Sequence, residues 1–121
     1  MESAGKFVYK TSCELLILPY SAIVHFEADG NYTIIYTCDK SKFTITMQLG
    51  QVEEFIQSDD SAIGYCFLRI GRSVILNRDF IVNINVNSRK VLLSDARTFH
   101  YSVDASREAL QKLKQFMEES I

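Results

Sequence analysis

At 121 residues, 47% of them hydrophobic and 23% charged, the chain has the length and composition of one globular domain that buries a core. A net charge of −2 argues against a protein held on nucleic acid by bulk positive charge alone, and no apolar run nears the roughly 18 residues that a membrane-spanning helix needs. The N-terminal MESAGKFVYK lacks the charged, apolar, small-residue order of a secretory signal, so the expected location is cytoplasmic.

The first elements read as two short strands, Lys6 to Tyr9 and Glu14 to Leu18, joined by the polar turn Lys10-Thr11-Ser12 and closed by Pro19, the only proline. Ile23, Val24 and Phe26 mark a third strand that ends at Ala28-Asp29-Gly30-Asn31, a turn cluster whose residues tolerate positive φ. Tyr32 to Thr37 returns as its hairpin partner. After the turn Asp39-Lys40-Ser41, Phe43, Ile45 and Met47 alternate with two threonines, which predicts a half-buried antiparallel strand. Leu49, Val52, Phe55 and Ile56 then recur at helical spacing, with Glu53 and Glu54 outward, and Ser58-Asp59-Asp60-Ser61 ends that helix.

The segment from Cys66 to Arg78 interleaves core with charge. Phe67, Leu68 and Ile70 enter the interior, Val74, Ile75 and Leu76 form a buried strand, and Arg69, Gly71, Arg72 and Ser73 surround a backbone break. Beyond it, Val82, Ile84 and Val86 alternate with Asn83, Asn85 and Asn87. Asn87-Ser88-Arg89-Lys90 turns into a strand from Val91 to Ser94, and Asp95-Ala96-Arg97 turns into another carrying Phe99, Tyr101 and Val103. Ala109, Leu110, Leu113, Phe116 and Met117 draw an apolar stripe on a C-terminal helix with Asp104 or Ser106 as its N-cap, and the acids at its end favour fraying. The expected class is mainly β: an elongated antiparallel sandwich of short strands with one internal and one C-terminal helix, a single domain with its core from about residue 7 to 117.

Chemistry is sparsely signalled. Cys13, Cys38 and Cys66 are odd in number and widely spaced, so free, mostly buried thiols are expected. His25, between Val24 and Phe26, reads as a sheet histidine, and His100 as solvent-exposed; neither has spacing that would orient a nucleophile. No enzyme activity, cofactor or metal is expected. The arginines say more, because a guanidinium hydrogen-bonds a guanine edge bidentately or clamps a phosphate. Arg69, Arg72 and Arg78 beside the backbone break could do either, or could pair with an acid such as Asp79.

Val24-His25-Phe26-Glu27-Ala28-Asp29-Gly30-Asn31-Tyr32, followed by Phe67-Leu68-Arg69-Ile70-Gly71-Arg72-Ser73-Val74-Ile75-Leu76-Asn77, resembles the LytTR DNA-binding domain of bacterial two-component response regulators. That family reads Y-I-E-A-x-G-N-Y, then F-x-R-I-H-R-S-Y-I-V-N, then an apolar strand, a hairpin and a terminal helix. The resemblance covers about Phe7 to Leu113 and implies a transcriptional regulator of double-stranded DNA. In the family, loops enter successive major grooves on one face, commonly at direct repeats, with possible self-association on the DNA.

By position, the contacting loops would be Asp29 to Thr33, Gly71 to Ser73 and Ala105 to Arg107. The resemblance makes Arg72 a base reader and Ser106 or Arg107 another. It places Asn31 and Thr33 at the first loop, Arg69 and Asn77 at framework or phosphate positions, and Arg89 and Lys90 where they add phosphate charge. Three departures stand out: Gly71 replaces the usual histidine, His25 stands where an aromatic is common, and Asp104-Ala105-Ser106-Arg107 is less basic than the family's V-S-R-R. No receiver domain, membrane partner or small-molecule substrate is expected. The alternative is a degenerate domain that docks a protein through a sheet edge or its last helix. Arg72, Arg78, Arg89 and Arg107 gathered on one face would favour DNA.

Overall fold

The computed structural model describes residues 5–58 and 66–121. Among these residues, ten strands and two α-helices follow in order: β1 (Lys6–Lys10), β2 (Leu15–Pro19), β3 (Ile23–Asp29), β4 (Tyr32–Thr37), β5 (Lys42–Ile45), α1 (Leu49–Gln57), β6 (Phe67–Ile70), β7 (Val74–Asn77), β8 (Ile81–Asn85), β9 (Lys90–Ser94), β10 (His100–Asp104) and α2 (Arg107–Glu119). The mainly β, antiparallel class and both helices agree with the sequence reading. Asp60 and Ser61, expected to help end α1, lie outside the described residues, as does Asp59.

A five-stranded sheet, β5-β4-β3-β7-β6, divides the molecule; β1-β2 and β10-β9-β8 form separate sheets. Because side chains alternate along a strand, β7 sends Ile75 to one side and Val74 and Leu76 to the other. Ile75 joins a core with Phe7, Tyr9, Leu16, Phe26, Val52 and Ile56, so the β1-β2 ribbon and α1 cover that face. Val74 and Leu76 join Val91, Leu93, Val103, Leu110 and Leu113, so the β8-β9-β10 sheet and α2 cover the other. Strands β3 and β7 are therefore flanked by core on both faces, which explains the unbroken apolar run Val74-Ile75-Leu76 of β7.

Two register shifts depart from simple alternation. Pairing of β3 with β4 slips between Ile23 and His25, so Val24 enters the α2-side core while His25 also faces that side, against Tyr101 of β10. Asn77, fully interior, donates from Nδ2 to the Ile23 carbonyl (2.9 Å) and accepts the Asp79 amide on Oδ1 (3.0 Å), which stitches β7 to β3 at this irregularity. The second slip, between Ile81 and Asn83, corrects the expected β8 pattern. Ile81 and Ile84 pack on the core and Val82 is left 55% exposed. The thiols also differ from expectation: all three are free, but Cys13 is exposed and Cys38 and Cys66 are only half-buried.

Candidate nucleic-acid interface

The β3–β4 connection is a two-residue turn: Asp29 pairs with Tyr32, and Gly30 takes the left-handed φ of +63° that a tight hairpin requires. Asn31 is exposed at its tip, and its Oδ1 accepts a hydrogen bond from Gln48 Nε2 (3.3 Å) just before α1. Thr33, expected at the same contact, is instead fully buried and donates its hydroxyl to the Met47 carbonyl (2.7 Å). Its neighbour Tyr32 is 49% exposed, so the outward-facing group at this tip is an aromatic ring that the sequence reading passed over.

Beside this turn lies the three-residue loop Gly71-Arg72-Ser73, closed by the Ile70–Val74 pair, with Gly71 at φ +60°. All three loop carbonyls are held. Arg69 donates from Nε to Gly71 O and from Nη2 to Arg72 O, both at 3.2 Å, while the Ala28 amide donates to Ser73 O at 2.8 Å. Arg69 is itself fixed by Glu53 of α1, Nη1 to Oε1 at 3.0 Å. The Arg69 side chain is therefore spent on loop geometry, and the acid read as an outward helix residue is its anchor. Arg72 is exposed and makes no ion pair or side-chain hydrogen bond among the described residues.

With its carbonyls occupied, this loop is held in one shape, a preorganised arrangement that spares a ligand the entropy of ordering it. Arg69→Ala is expected to lower stability by about 1–2 kcal/mol, because one charge-assisted pair and two backbone contacts are lost together. It should also speed amide exchange around Gly71 to Val74. Unchanged exchange there would show that the loop holds its shape without the guanidinium.

The N-terminus of α2 stands against the same loop: Ile70 to Ser73 and Asp104 to Ser106 wall one cleft. Ser106 is the N-cap, its Oγ accepting the Ala109 amide at 3.2 Å, which chooses between the two caps considered from sequence. Next to it comes the β8–β9 turn, joined through the Ala105 amide to Arg89 O (3.2 Å) and through Arg107 Nη2 to Asn87 Oδ1 (3.4 Å). Lys90 is paired with Asp104 across β9 and β10, Nζ to Oδ1 at 2.6 Å, both well exposed. Arg89 is exposed and holds a left-handed φ of +60°, a conformation that costs a non-glycine residue about 1–2 kcal/mol.

Four segments scattered through the sequence thus adjoin in series at one end of the sheets: the turns or loops that carry Asn31, Arg72 and Arg89, and the start of α2 that carries Arg107. Arg78 does not join them. It follows β7 at the far end from Ser73, and its guanidinium sits over the Phe116 ring of α2, 5.4 Å from the centroid.

A family model for the LytTr DNA-binding domain matches residues 14–118. The chain belongs to the LytTR DNA-binding domain family. A solved LytTr DNA-binding domain from Bacillus cereus has the same fold, with a TM-score of 0.63 over 93% of this chain and 96% of that one at 21% identity. Among curated proteins, none matches. No helix among the described residues of this LytTR domain is long and apolar enough to cross a membrane. Nor do the described residues group three or more histidine, cysteine or acidic side chains where a metal ion could bind.

Proposed function

We propose that this LytTR domain is a sequence-specific, double-stranded DNA-binding transcriptional regulator that reads major grooves through the loops at the Arg72 end. The observation that carries the reading is the rigid Gly71-Arg72-Ser73 loop, set between the Asn31 tip and the α2 N-terminus with an unpaired guanidinium at its apex. Arg72 reads a base edge. Asn31 and the Arg107 side chain contact neighbouring positions. The start of α2, next to the Ser106 cap, suits a phosphate, as helix N-termini do. Arg89 supplies phosphate charge; Lys90, shared with Asp104, supplies less. Gly71 and Ser73 shape the loop, Arg69 positions it, and Thr33 supports the first tip from inside. Direct-repeat sites and self-association on DNA belong to the same proposal, resting on family membership.

Selection from random duplexes at near-physiological salt tests this reading, with one enriched motif expected. A selection that enriches nothing would return the domain to the protein-docking alternative. On the selected site, Arg72→Ala should cost about 1–3 kcal/mol and relax preference at a single position. An equal loss on selected and random DNA would remove Arg72 from base reading. Arg89→Ala, in contrast, should weaken all sequences alike and lower the slope of log K against log salt by about 1. A loss confined to the selected sequence would make Arg89 a reader instead.

A further inference from the structure

At the end of the sheets opposite the Arg72 loop, a cavity of about 310 Å³ opens between β4–β5 and β10, lined by Tyr36, Lys40, Lys42, Phe99, His100 and Tyr101. Every lining residue is aromatic or basic. The aromatic walls are fixed. Tyr36 stacks on His25 at 4.3 Å with an 11° interplanar angle, and Tyr101 lies 5.4 Å from both the Tyr36 and Phe99 centroids. The Tyr101 hydroxyl donates to the Thr37 carbonyl at 3.3 Å.

The turns that carry the rim are equally constrained. Asp95 Oδ1 accepts the amides of Arg97, Thr98 and Phe99 at 2.9, 2.7 and 3.3 Å, which holds Phe99 at the cavity. In the other turn Asp39 accepts the Thr37 hydroxyl (2.5 Å) and the Ser41 amide (3.1 Å), which fixes the turn and keeps the carboxylate ionised; burial first, and then this charge, raise the pKa of the Tyr101 hydroxyl. Among the described residues, Lys40, Lys42 and His100 make no ion pair or side-chain hydrogen bond. The cavity therefore combines flat, preset aromatic faces with two lysine ammoniums that form no ion pair.

We infer that this cavity is a binding site for a small planar aromatic carboxylate, its ring set among Tyr36, Phe99 and Tyr101 and its carboxylate held by Lys40 and Lys42, with a further hydrogen bond from His100. Ring faces and edges favour an aromatic guest over an aliphatic one, and a carboxylate supplies acceptors for both ammonium groups. The inference is independent of what the Arg72 end binds.

Benzoate is the probe. Titrated into the whole chain and followed by the ring resonances of Tyr36 and Tyr101, it should saturate with a Kd on the order of 1 mM, ordinary for a ligand of this size. Benzyl alcohol, with the ring but no charge, and cyclohexanecarboxylate, with the charge but no flat ring, should each bind at least about tenfold more weakly. A Lys40→Gly, Lys42→Ala double variant should lose benzoate by a similar factor; glycine suits position 40, where φ is +70°. The site is disproved by an absence of saturable shifts at ten times that concentration, by benzoate binding equally well to the double variant, or by either analogue matching benzoate. Inorganic phosphate competing as well as benzoate would reduce it to a simple cationic patch and overturn the proposal.

Discussion

Phe26→Ala is expected to destabilise the domain by about 4 kcal/mol, the middle of the range for a buried aromatic truncated to alanine. Phe26 is fully buried, with its ring 5.4 Å from Phe7 of the β1–β2 ribbon and 5.8 Å from Phe67 of β6, and its backbone paired with Ile75. Removing the ring deletes transfer energy and also leaves a void, because its neighbours are anchored separately. Phe7 is held by a second edge contact to Phe55 of α1, and Phe67 by Tyr20. Urea unfolding should show a lower midpoint at an unchanged m-value. A loss under about 1.5 kcal/mol would mean that the ribbon collapses into the gap and is not independently seated.

Acidification from pH 7.5 to 4 should remove about 3 kcal/mol of stability through one side chain. Burial on the α2 side of the sheet pushes the His25 imidazole down from its ordinary 6.5 to about 4. Its Nε2 lies 3.5 Å from Glu27 Oε1, which by itself would favour the charged form, but the Glu27 side chain is 42% exposed and water weakens its pull. Desolvation prevails. The folded state therefore binds the proton less readily than the unfolded chain. The stabilisation is complete above pH 6.5 and is lost progressively as pH falls from 6.5 through about 4.

His25→Phe should flatten that dependence. It should also raise stability at neutral pH by about 1 kcal/mol, since Nδ1 is buried without a hydrogen-bond partner and a phenyl ring keeps the stack on Tyr36. The family pattern commonly places an aromatic at this position. Denaturation curves of both proteins from pH 7.5 to 4 check the point; parallel curves would assign the acid sensitivity to carboxylates.

The hairpins, the helices and the family were legible because each rests on local pattern: Gly30-Asn31 between alternating strands, or Leu110 and Leu113 on one stripe with Ser106 three residues ahead of Ala109. What escaped was set by tertiary geometry. An inserted residue in β3 puts Val24 and His25 on the same face, and another slip in β8 turns Val82 outward, yet neither interrupts the apolar pattern in sequence. Thr33 and Asn31 are two positions apart and equally polar, but the strand begins between them and buries only the first.

Arg69, Arg72 and Arg78 look equivalent as letters in one basic stretch. Strand β7 separates the last two by its full length, and Glu53, distant in sequence, claims the first. Glu53, Gln48 and Asn87, which brace the candidate interface, carried no signal beyond being polar residues near turns or on an exposed helix face.

The placement of β3 and β7 side by side, each walled by both cores, also governs how the chain assembles during synthesis. When β1 to β5 and α1 have left the ribosome, Phe26 still lacks Phe67 and Ile75, and one edge of β3 still lacks its neighbour. That open edge is an aggregation hazard until β7 arrives. The pairing that seals it is the same one that fastens Ser73 to Ala28. A nascent chain that has not closed its central sheet consequently lacks the bond that seats the Arg72 loop on β3.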